Sequence, residues 1–290
     1  MKKYTHPAHP HVTVFEVPKK QLEHIDFAMC EEPKETLKAY YKRQEEKPDL
    51  LSNGGIYHLA DGKTYFNFID EGKVISGWHW YNMGMGTVNG ELKYGNVSEE
   101  KWTDFVSGYP PLVEDSKALP ITFATEIAGK NKRKVLAYND KTVFLIEIWS
   151  PGMRFPEMQD MLLEMGVTHA INLDGGESVL TLEDGVEVNS PAGTYRRPVD
   201  NVVAMFLKDL KRIQVGAWKK NKLYAIAMQA RIKLLPDPLK AGYKNARLVY
   251  VDGWWKVQVG AFYDDDGVQR VVDDLATHGI TDIFIQREES

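Results

Sequence analysis

Most of the chain shows the short-period alternation of apolar and polar residues that is typical of β-strands. Alternation over residues 12–17 (VTVFEV) predicts a half-buried strand. Residues 63–82 are typical of successive β segments with a turn at Glu71–Gly72, and residues 132–149 predict a hairpin with Asn139–Asp140 at its tip. These patterns place several strands in roughly the first two hundred residues.

Helical spacing of apolar residues replaces this alternation in two segments of the same region. Residues 33–48 form a helix candidate that is closed by Pro48. Residues 154–166 (RFPEMQDMLLEMG) predict a second helix, with Pro156 in its first turn and Gly166 at its end. A short apolar strand, THAINL, follows this helix, so that Asp174 stands at the carboxyl end of that strand.

The C-terminal region contains an internal repeat of a strand followed by a helix. The segment IQVGAW at residues 213–218 returns as VQVGAF at 257–262, a shift of 44 residues. After each copy, apolar residues fall on one helical face, namely Leu223, Ile226, Ala227, Ala230 and Leu234, and then Val268, Val271, Val272 and Leu275. A hairpin turn at Asp252–Gly253 and a last strand, TDIFIQ, complete a β-α-β-β-α-β order over residues 212–287. This order predicts a four-stranded antiparallel sheet with two helices on one face.

Composition narrows the range of functions. The apolar share of 43% and the charged share of 27% are those of an ordinary globular protein. A net charge of −5 argues against a nucleic-acid-binding protein, which usually presents a basic face. Cys30 is the only cysteine, so neither an intrachain disulfide nor a cysteine-rich zinc site can form. No apolar run reaches the length of a membrane span.

The segment HAINLDGGES, residues 169–178, is the clearest candidate for chemistry. A helix that leads into a buried strand places Asp174 at the end of that strand, and in open α/β sheets ligands bind at this edge. Gly175 and Gly176 then leave room for a substrate beside the acid. An aspartate that caps its own turn gives the same short pattern, so Asp-Gly-Gly alone leaves a structural role open.

Longer motifs resemble the phosphodiester glycosidase family, which hydrolyses the bond between a sugar anomeric carbon and a phosphodiester. The resemblance rests on LSNGGIY at residues 51–57, on the 132–149 hairpin, and on INLDGGES with the later RRPVDN, and it spans roughly residues 11 to 207. It implies that Asp174, Arg133 and Arg197 are catalytic. It also implies that the other matched positions bind substrate, namely Asn53, Gly54, Gly55, Gly175, Gly176, Ser178 and Asn201. Glu177 stands where the family has a third glycine, and its position beside Asp174, not the resemblance, makes it a candidate second catalytic carboxylate.

The repeat region resembles a SPOR domain, the module that binds glycan strands of bacterial cell walls. The paired QVGAW and QVGAF carry this resemblance. It implies glycan binding on one sheet face, with Tyr250, Trp254 and Trp255 as candidate aromatic platforms. The expected fold is therefore α+β, with an N-terminal mixed-sheet α/β phosphodiester glycosidase-like domain (residues 1–208) and a small C-terminal βαββαβ, ferredoxin-like or SPOR domain (residues 209–290).

The chemistry of a sugar-1-phosphodiester calls for the same residue types. The bond breaks at carbon 1 through an oxocarbenium-like transition state, and the phosphate leaving group is already stable as an anion. Asp174 fits the role of base or electrostatic stabiliser, and Arg133 and Arg197 fit the role of phosphate ligands, because guanidinium groups hold phosphate oxygens with two hydrogen bonds. No cofactor is required, although the sequence leaves a bound divalent cation open.

Three functions remain open. The first is hydrolysis of a sugar-phosphate glycopolymer, with the C-terminal domain bound to peptidoglycan or another wall glycan. The second is a non-catalytic wall-binding or phage virion protein on the same fold, favoured by Glu177 and Val179 where the family has a third glycine and a second serine. The third is a metal-dependent phosphodiesterase, against which the lack of a His/Asp cluster with metal-ligand spacing argues.

The N-terminus MKKYTHPAHPHVTVFEV shows no signal-peptide pattern, because no apolar stretch of sufficient length follows the two lysines. We therefore expect synthesis in the cytoplasm. Action at the cell wall would follow phage lysis, transport on a virion or another export route. The three histidines of this segment, His6, His9 and His11, lie among prolines that fix no metal-binding geometry.

Overall fold

A computed structural model describes residues 1–31, 34–58, 63–77, 81–121, 128–188, 197–208, 210–219, 222–236, 243–251 and 253–288. The chain divides into two compact units, residues 1–207 and 208–290, next to the expected boundary at 208/209. The helices of the described residues are α1 (Leu37–Arg43), α2 (Phe155–Glu164), α3 (Lys222–Lys233) and α4 (Asp265–Thr277). None of these helices is long and apolar enough to cross a membrane.

The described part of the chain also contains many short strands. Those of the first unit are β1 (Lys2–His6), β2 (His9–Pro18), β3 (Leu22–Met29), β4 (Leu50–Asn53), β5 (Phe68–Asp70), β6 (Lys73–Ser76), β7 (Met83–Val88), β8 (Glu91–Asn96), β9 (Asp104–Ser107), β10 (Pro111–Glu114), β11 (Lys117–Ala118), β12 (Asn131–Tyr138), β13 (Thr142–Met153), β14 (His169–Asn172), β15 (Thr181–Glu183), β16 (Val186–Glu187) and β17 (Asn201–Leu207). Those of the second unit are β18 (Leu210–Lys219), β19 (Arg247–Val251), β20 (Trp254–Phe262) and β21 (Ile283–Glu288).

Three sheets form the first unit. Sheet 1 has the order β1-β2-β13-β12-β14-β10-β11, sheet 2 the order β16-β15-β4-β17-β3, and sheet 3 the order β6-β5-β9-β7-β8. One face of sheet 1 packs against the methionine and leucine side chains of α2. The opposite face packs onto sheet 2, where Leu136 and Ile171 meet Phe27 and Val203. Helix α1 covers the far face of sheet 2, so the layers are helix, sheet, sheet and helix.

The expected α+β class is confirmed, and so are the hairpin at 132–149, helix α2 and the strand before Asp174. Helix α1 is shorter than residues 33–48, because Thr36 caps its start and the helix ends at Arg43. Every strand pair of the first unit's described residues is antiparallel. The sequence predicted Asp174 at the common carboxyl edge of a parallel sheet, and this prediction is wrong, because strand β14 has only antiparallel neighbours among the described strands.

The second unit has the expected β-α-β-β-α-β order. Its sheet is antiparallel, with the order β19-β20-β18-β21, and α3 and α4 pack on one face. Helix α4 buries Val268, Val271 and Leu275, as its apolar spacing predicts, and Gly279 follows its end at φ +70°. Helix α3 differs, because it buries Ala225 and Ile232 rather than the apolar face that begins at Leu223.

Candidate active site

Asp174 lies where sheet 1 meets sheet 2. Strand β14 ends at Asn172, and the Leu173 N–H still donates to the Lys134 carbonyl at 2.8 Å. The next N–H, that of Asp174, donates instead to the Gly54 carbonyl at 3.0 Å. The chain thus leaves sheet 1 at Asp174 and is held by the loop that follows β4 of sheet 2.

Two buried asparagines hold this loop in place. The Asn53 amide donates to the Asp174 carbonyl at 2.8 Å and accepts from the Leu180 N–H at 3.2 Å. The Asn201 side-chain oxygen accepts from the Gly55 N–H at 2.6 Å, while its NH2 donates to the Thr64 hydroxyl at 3.0 Å. Both side chains are thus engaged with protein groups, so they position the loop that supports Asp174.

Close packing between segments explains three of the four matched glycines. A Cβ at Gly54 would lie 2.3 Å from the Asn201 side-chain oxygen, and one at Gly55 would lie 2.7 Å from Val106. A Cβ at Gly175 would lie 2.7 Å from the Lys132 carbonyl. The space beside Gly175, which was expected to admit a substrate, is occupied by protein backbone. Gly176 has open space around it and φ +64°, which favours glycine for conformational reasons.

Four side chains form one electrostatic cluster, which we call the acid cluster: Asp174, Ser178, Tyr57 and Arg197. Burial raises the pKa of Asp174 to about 6, while Ser178, the Gly175 N–H and the charge of Arg197 act to lower it. Burial also raises the pKa of Tyr57, with Asp174 raising it further and Ser178 and Arg197 lowering it. The charge of Arg197, one of the expected cations, thus acts on the pKa of both Asp174 and Tyr57.

Ser178 is a buried residue of this cluster with an unsatisfied hydroxyl. Its side chain follows Gly176 in a short 3-10 turn and is 1% exposed. The hydroxyl lies close enough to Asp174 and Tyr57 to lower the pKa of both groups, yet it meets full hydrogen-bond geometry with no described protein atom. A buried hydroxyl without a partner is costly, and a ligand at this position would satisfy it.

The remaining groups around the cluster come from the segment after residue 196. Arg197 is half-buried, and the Pro198 carbonyl accepts a hydrogen bond of 2.6 Å from the Tyr57 hydroxyl. Asp200 accepts a hydrogen bond from the Thr64 hydroxyl and raises the pKa of Tyr57 through its charge. The preceding Arg196 lies outside the described residues.

Arg133 does not join this cluster, contrary to the expectation that it faces Asp174. It is 3% exposed, and its guanidinium lies 4.0 Å from the ring centroid of Phe155 and donates to the Gly129 carbonyl at 3.0 Å. Burial alone lowers the pKa of Arg133 to about 10. Side chains alternate along β12, so Arg133 shares the α2 side of sheet 1 with Val135. The expected pair of guanidinium groups opposite one acid is therefore not formed.

Lys132, the residue before Arg133, contacts the exposed side of the loop that follows Asp174. Its ammonium group lies 2.8 Å from a carboxylate oxygen of Glu177, and the two side chains are 22% and 43% exposed. The expected catalytic carboxylate of Glu177 is thus half-exposed and paired with a lysine. Strand alternation carried the signal for Lys132, because a strand that turns Arg133 to one face turns both neighbours to the other.

A buried charge pair, which the sequence did not predict, lies nearby on β12 and β13. Lys134 and Glu147 are both fully buried, with their charged groups 2.9 Å apart. The Thr181 hydroxyl donates to Glu147 at 2.6 Å, and the Trp149 indole N–H donates to its other oxygen at 3.3 Å. This network joins β12 and β13 of sheet 1 to β15 of sheet 2, next to the strand that carries Asn53.

The three N-terminal histidines lie together on the β1–β2 hairpin. The His6 and His9 rings stack at 5.0 Å, and the His9 and His11 rings lie 6.1 Å apart. Among the described residues, no group of three or more His, Cys, Asp and Glu side chains is arranged to hold a metal ion.

The candidate glycan-binding aromatics of the second unit lie on two different faces. Tyr250 and Trp255 are cross-strand partners with rings 4.8 Å apart, and Lys222 at the start of α3 lies over Trp255, which places this pair on the helix side. Trp254 lies on the helix-free face, where its neighbour across the sheet is Lys219. The three residues therefore do not form the single platform that the sequence predicts.

The helix-free face carries one transverse row of side chains across all four strands. Arg247, Gln258, Gln214 and Phe284 are successive cross-strand partners. The Arg247 guanidinium donates to Gln258 at 2.7 Å, and Gln214 donates to Gln286. Phe284 is 50% exposed and Trp254 38% exposed, so two aromatic side chains are accessible on this face. Phe284 was missed, although its position in TDIFIQ alternates with two isoleucines.

Comparison with known proteins identifies both units. Residues 38–206, more than half of the chain, match the family model of the phosphodiester glycosidases. The chain belongs to the phosphodiester glycosidase family. Residues 212–286 match the SPOR domain, so both resemblances found in the sequence are confirmed. No curated protein is similar enough in sequence to match the chain.

Solved structures share the fold of the glycosidase unit at low identity. The zebrafish N-acetylglucosamine-1-phosphodiester alpha-N-acetylglucosaminidase catalytic domain, auto-inhibited by its pro-peptide, is 17% identical, with 70% of this chain and 85% of that chain covered and a TM-score of 0.55. A hypothetical protein from Synechocystis is 11% identical, with 68% of this chain and 59% of that chain covered and a TM-score of 0.58. At these identities the likeness extends to the fold alone.

The second unit also aligns with the peptidoglycan-binding domain of the B. subtilis cell wall lytic enzyme CwlC. The two are 25% identical, with 28% of this chain and 91% of that domain covered and a TM-score of 0.22. The SPOR family match, and not this alignment, is what identifies the unit.

Proposed function

We propose that the protein hydrolyses a sugar-1-phosphodiester at the acid cluster, and that Asp174 is its catalytic residue. The observation that carries the proposal is a carboxyl group with a pKa of about 6 that shares one site with the Arg197 cation and the unsatisfied Ser178 hydroxyl. A buried carboxylate strongly stabilises a positive charge that develops beside it in the transition state, because little water screens the interaction.

The reaction divides between these side chains according to their charge. A water oxygen bonds to carbon 1, the bond from carbon 1 to the phosphate oxygen breaks, and the bonding pair leaves with the phosphate. Asp174 stabilises the positive charge at carbon 1 or accepts the proton of the water. Arg197 and the Ser178 hydroxyl hold the phosphate oxygens, because they donate hydrogen bonds and bring no negative charge.

The pKa of Asp174 supports this assignment. A group that titrates near pH 6 is mostly ionised at neutral pH, yet it is basic enough to accept a proton during the reaction. We expect kcat/KM to rise with pH through about 6, since the protonated carboxyl neither stabilises a cation nor accepts a proton.

The SPOR domain favours a substrate in the cell wall. A module that binds wall glycan would concentrate the enzyme beside its substrate without adding contacts at the active site. We therefore propose a surface or wall glycopolymer with sugar-phosphate linkages as the substrate class, and peptidoglycan or another wall glycan as the partner. The protein would reach this polymer after phage lysis, on a virion or by another export route.

A non-catalytic wall-binding role on the same fold is the alternative that a specific observation favours. Arg133 faces helix α2, and Lys132 is paired with Glu177 at the rim of the loop. Of the two arginines that were expected to bind phosphate, only Arg197 acts on the acid cluster. A domain that had lost catalysis would also tolerate these departures.

One pair of variants tests the proposal. Asp174→Asn keeps the shape of the side chain and removes its charge, while Asp160→Asn makes the same change at an exposed position on helix α2. Turnover of a sugar-1-phosphodiester should fall by about a thousandfold in D174N, within the usual range for a lost catalytic base, and stay unchanged in D160N. Equal turnover by both variants would contradict Asp174 as the catalytic residue, and no turnover by the native chain would favour the non-catalytic role.

A further inference from the structure

Helix α3 of the SPOR domain exposes an apolar stripe on the side away from its sheet. Leu223 is 77% exposed, Ile226 41% and Leu234 85%, with the exposed Ala227 and Ala230 between them. The helix instead packs on the sheet through Ala225 and Ile232, which are fully buried. Leu234 directly follows the helix in a turn, where its N–H donates to the Arg231 carbonyl at 3.2 Å. At a rise of 1.5 Å per residue, the exposed residues form a stripe about 16 Å long.

Helix α4, the equivalent helix in the second copy of the repeat, shows that the fold does not require an exposed apolar face. Helix α4 packs on the same sheet through Val268, Val271 and Leu275, and its first turn carries Asp265 and Asp266 on a polar side. A helix with apolar residues on both sides is normally covered on both sides. The outer stripe of α3 is therefore expected to have an occupant.

The charges around the stripe indicate what that occupant is. Residues 219–234 contain five lysine and arginine residues and no aspartate or glutamate, in a chain whose net charge is −5. On the helix, Arg231 borders one edge of the stripe, and Lys222 and Lys233 border the other. The outer surface thus has an apolar centre between cationic edges, which is complementary to an anionic lipid interface.

Other occupants fit this surface less well. A hydrophilic wall polymer gives no reason to expose leucine and isoleucine side chains, because it offers them no apolar surface. A second copy of α3 packed on the first would bring like cations together along both edges. An anionic bilayer can bind both parts of this surface, because the leucine side chains pack among its acyl chains and the basic side chains contact its negatively charged headgroups.

We propose that the outer face of helix α3 binds an anionic lipid surface, with the helix lying in the plane of the interface. Leu223, Ile226 and Leu234 insert below the headgroups, and Arg231 and Lys233 contact lipid phosphates, one at each edge. This contact is separate from the helix-free sheet face that carries Trp254, so lipid and glycan engage opposite sides of the domain.

The test is co-sedimentation of the full-length chain with vesicles of mixed phosphatidylglycerol and phosphatidylcholine, compared with vesicles of phosphatidylcholine alone. The chain should bind the anionic vesicles, and added salt should weaken that binding because it screens the cations. The double variant Leu223→Ser with Leu234→Ser should bind at least about tenfold more weakly, because burial of a leucine is worth more than that factor.

The control is Val186→Ser, which removes another exposed apolar side chain, 68% exposed, from the first unit. It should bind vesicles like the native chain. All substituted side chains are exposed, so circular dichroism should show native folding for every variant. Absence of binding to anionic vesicles, or equal binding by the double variant, would overturn the proposal. So would a dimer of the native chain that the double variant abolishes, because it would assign the stripe to a second copy.

Discussion

Asp174 carries a carboxyl group that burial makes hard to ionise, and the groups around it offset only part of this cost. The Gly175 N–H, Ser178 and Arg197 each lower its pKa, yet the value stays at about 6. A site that keeps such a carboxylate loses folding stability at neutral pH and gains a reactive group. This exchange is common at active sites, where stability and activity oppose each other.

The first prediction concerns the stability of the Asp174→Asn variant. The carboxyl pKa is about 6 in the folded chain and about 4 in the unfolded chain, so between these values the unfolded chain ionises first and folding loses stability as pH rises. Near neutral pH this costs on the order of 2–3 kcal/mol. D174N should therefore unfold at higher urea concentration than the native chain near neutral pH, and at a similar concentration near pH 4. A gap that does not change with pH would contradict the raised pKa.

At the scale of elements, strand alternation decides which basic residues reach the site. Strand β12 turns Arg133 toward helix α2, whereas Lys132 contacts Glu177 and Lys134 faces Glu147. The sequence motif selected Arg133, and the structure places this side chain against Phe155 of α2, because adjacent basic residues on a strand point to opposite faces. The next two residues follow the same alternation, since Val135 lies in the core beside α2 and Leu136 in the core between sheets 1 and 2.

The second prediction compares two arginines. Arg197→Ala should raise KM for the phosphodiester by roughly tenfold to a hundredfold, since it removes a charged hydrogen bond, with little loss of stability. Arg133→Ala should leave KM unchanged in the folded fraction and lower the free energy of unfolding by about 2–4 kcal/mol, because it empties a buried site against Phe155. Steady-state kinetics and urea unfolding of both variants check this. The reverse assignment would restore Arg133 as the phosphate ligand.

The third prediction concerns the contact between the Asp174 loop and β12. A methyl group at residue 175 would lie 2.7 Å from the Lys132 carbonyl, so Gly175→Ala must move backbone against backbone. We expect a loss of about 1–3 kcal/mol in stability and a clear fall in kcat, measured by unfolding and by turnover. Gly90→Ala, at φ +79° with open space around it, is the control that strains a turn away from the site and should leave kcat unchanged.

Element order was predictable from periodicity, whereas side-chain partners were not. The β12–β13 hairpin, α2, β14 and the βαββαβ order all follow from local patterns that the structure retains. Tyr57 joined the acid cluster through a contact between the β4 loop and the Asp174 loop, which local patterns do not encode. Helix α3 shows the same limit, since its strongest apolar face is the one that the sheet leaves uncovered.

At the scale of the whole molecule, a glycosidase-family unit and a SPOR domain share one chain. Their combination matters for a polymeric substrate, because a bound polymer offers many bonds close to the active site. Glycan binding should then change retention on the wall without changing the chemistry on a small soluble substrate.

The fourth prediction separates the two faces of the SPOR sheet. Trp254→Ala in the full-length chain should weaken binding to purified wall glycan by about tenfold, because stacking on an aromatic ring contributes that much. Trp255→Ala removes the same type of side chain from the helix side and should bind glycan like the native chain. Hydrolysis of a small sugar-1-phosphodiester should be equal in both variants. Loss of glycan binding in W255A alone would place the glycan on the other face.

The central claim is that Asp174 directs water to carbon 1 of the sugar rather than to phosphorus. Hydrolysis of a sugar-1-phosphodiester in water enriched in oxygen-18, followed by mass spectrometry of both products, tests it most directly. The proposed reaction places the label in the hydroxyl group at carbon 1 of the released sugar, and D174N abolishes that labelled product. Label in the released phosphate would show attack at phosphorus and would contradict the account.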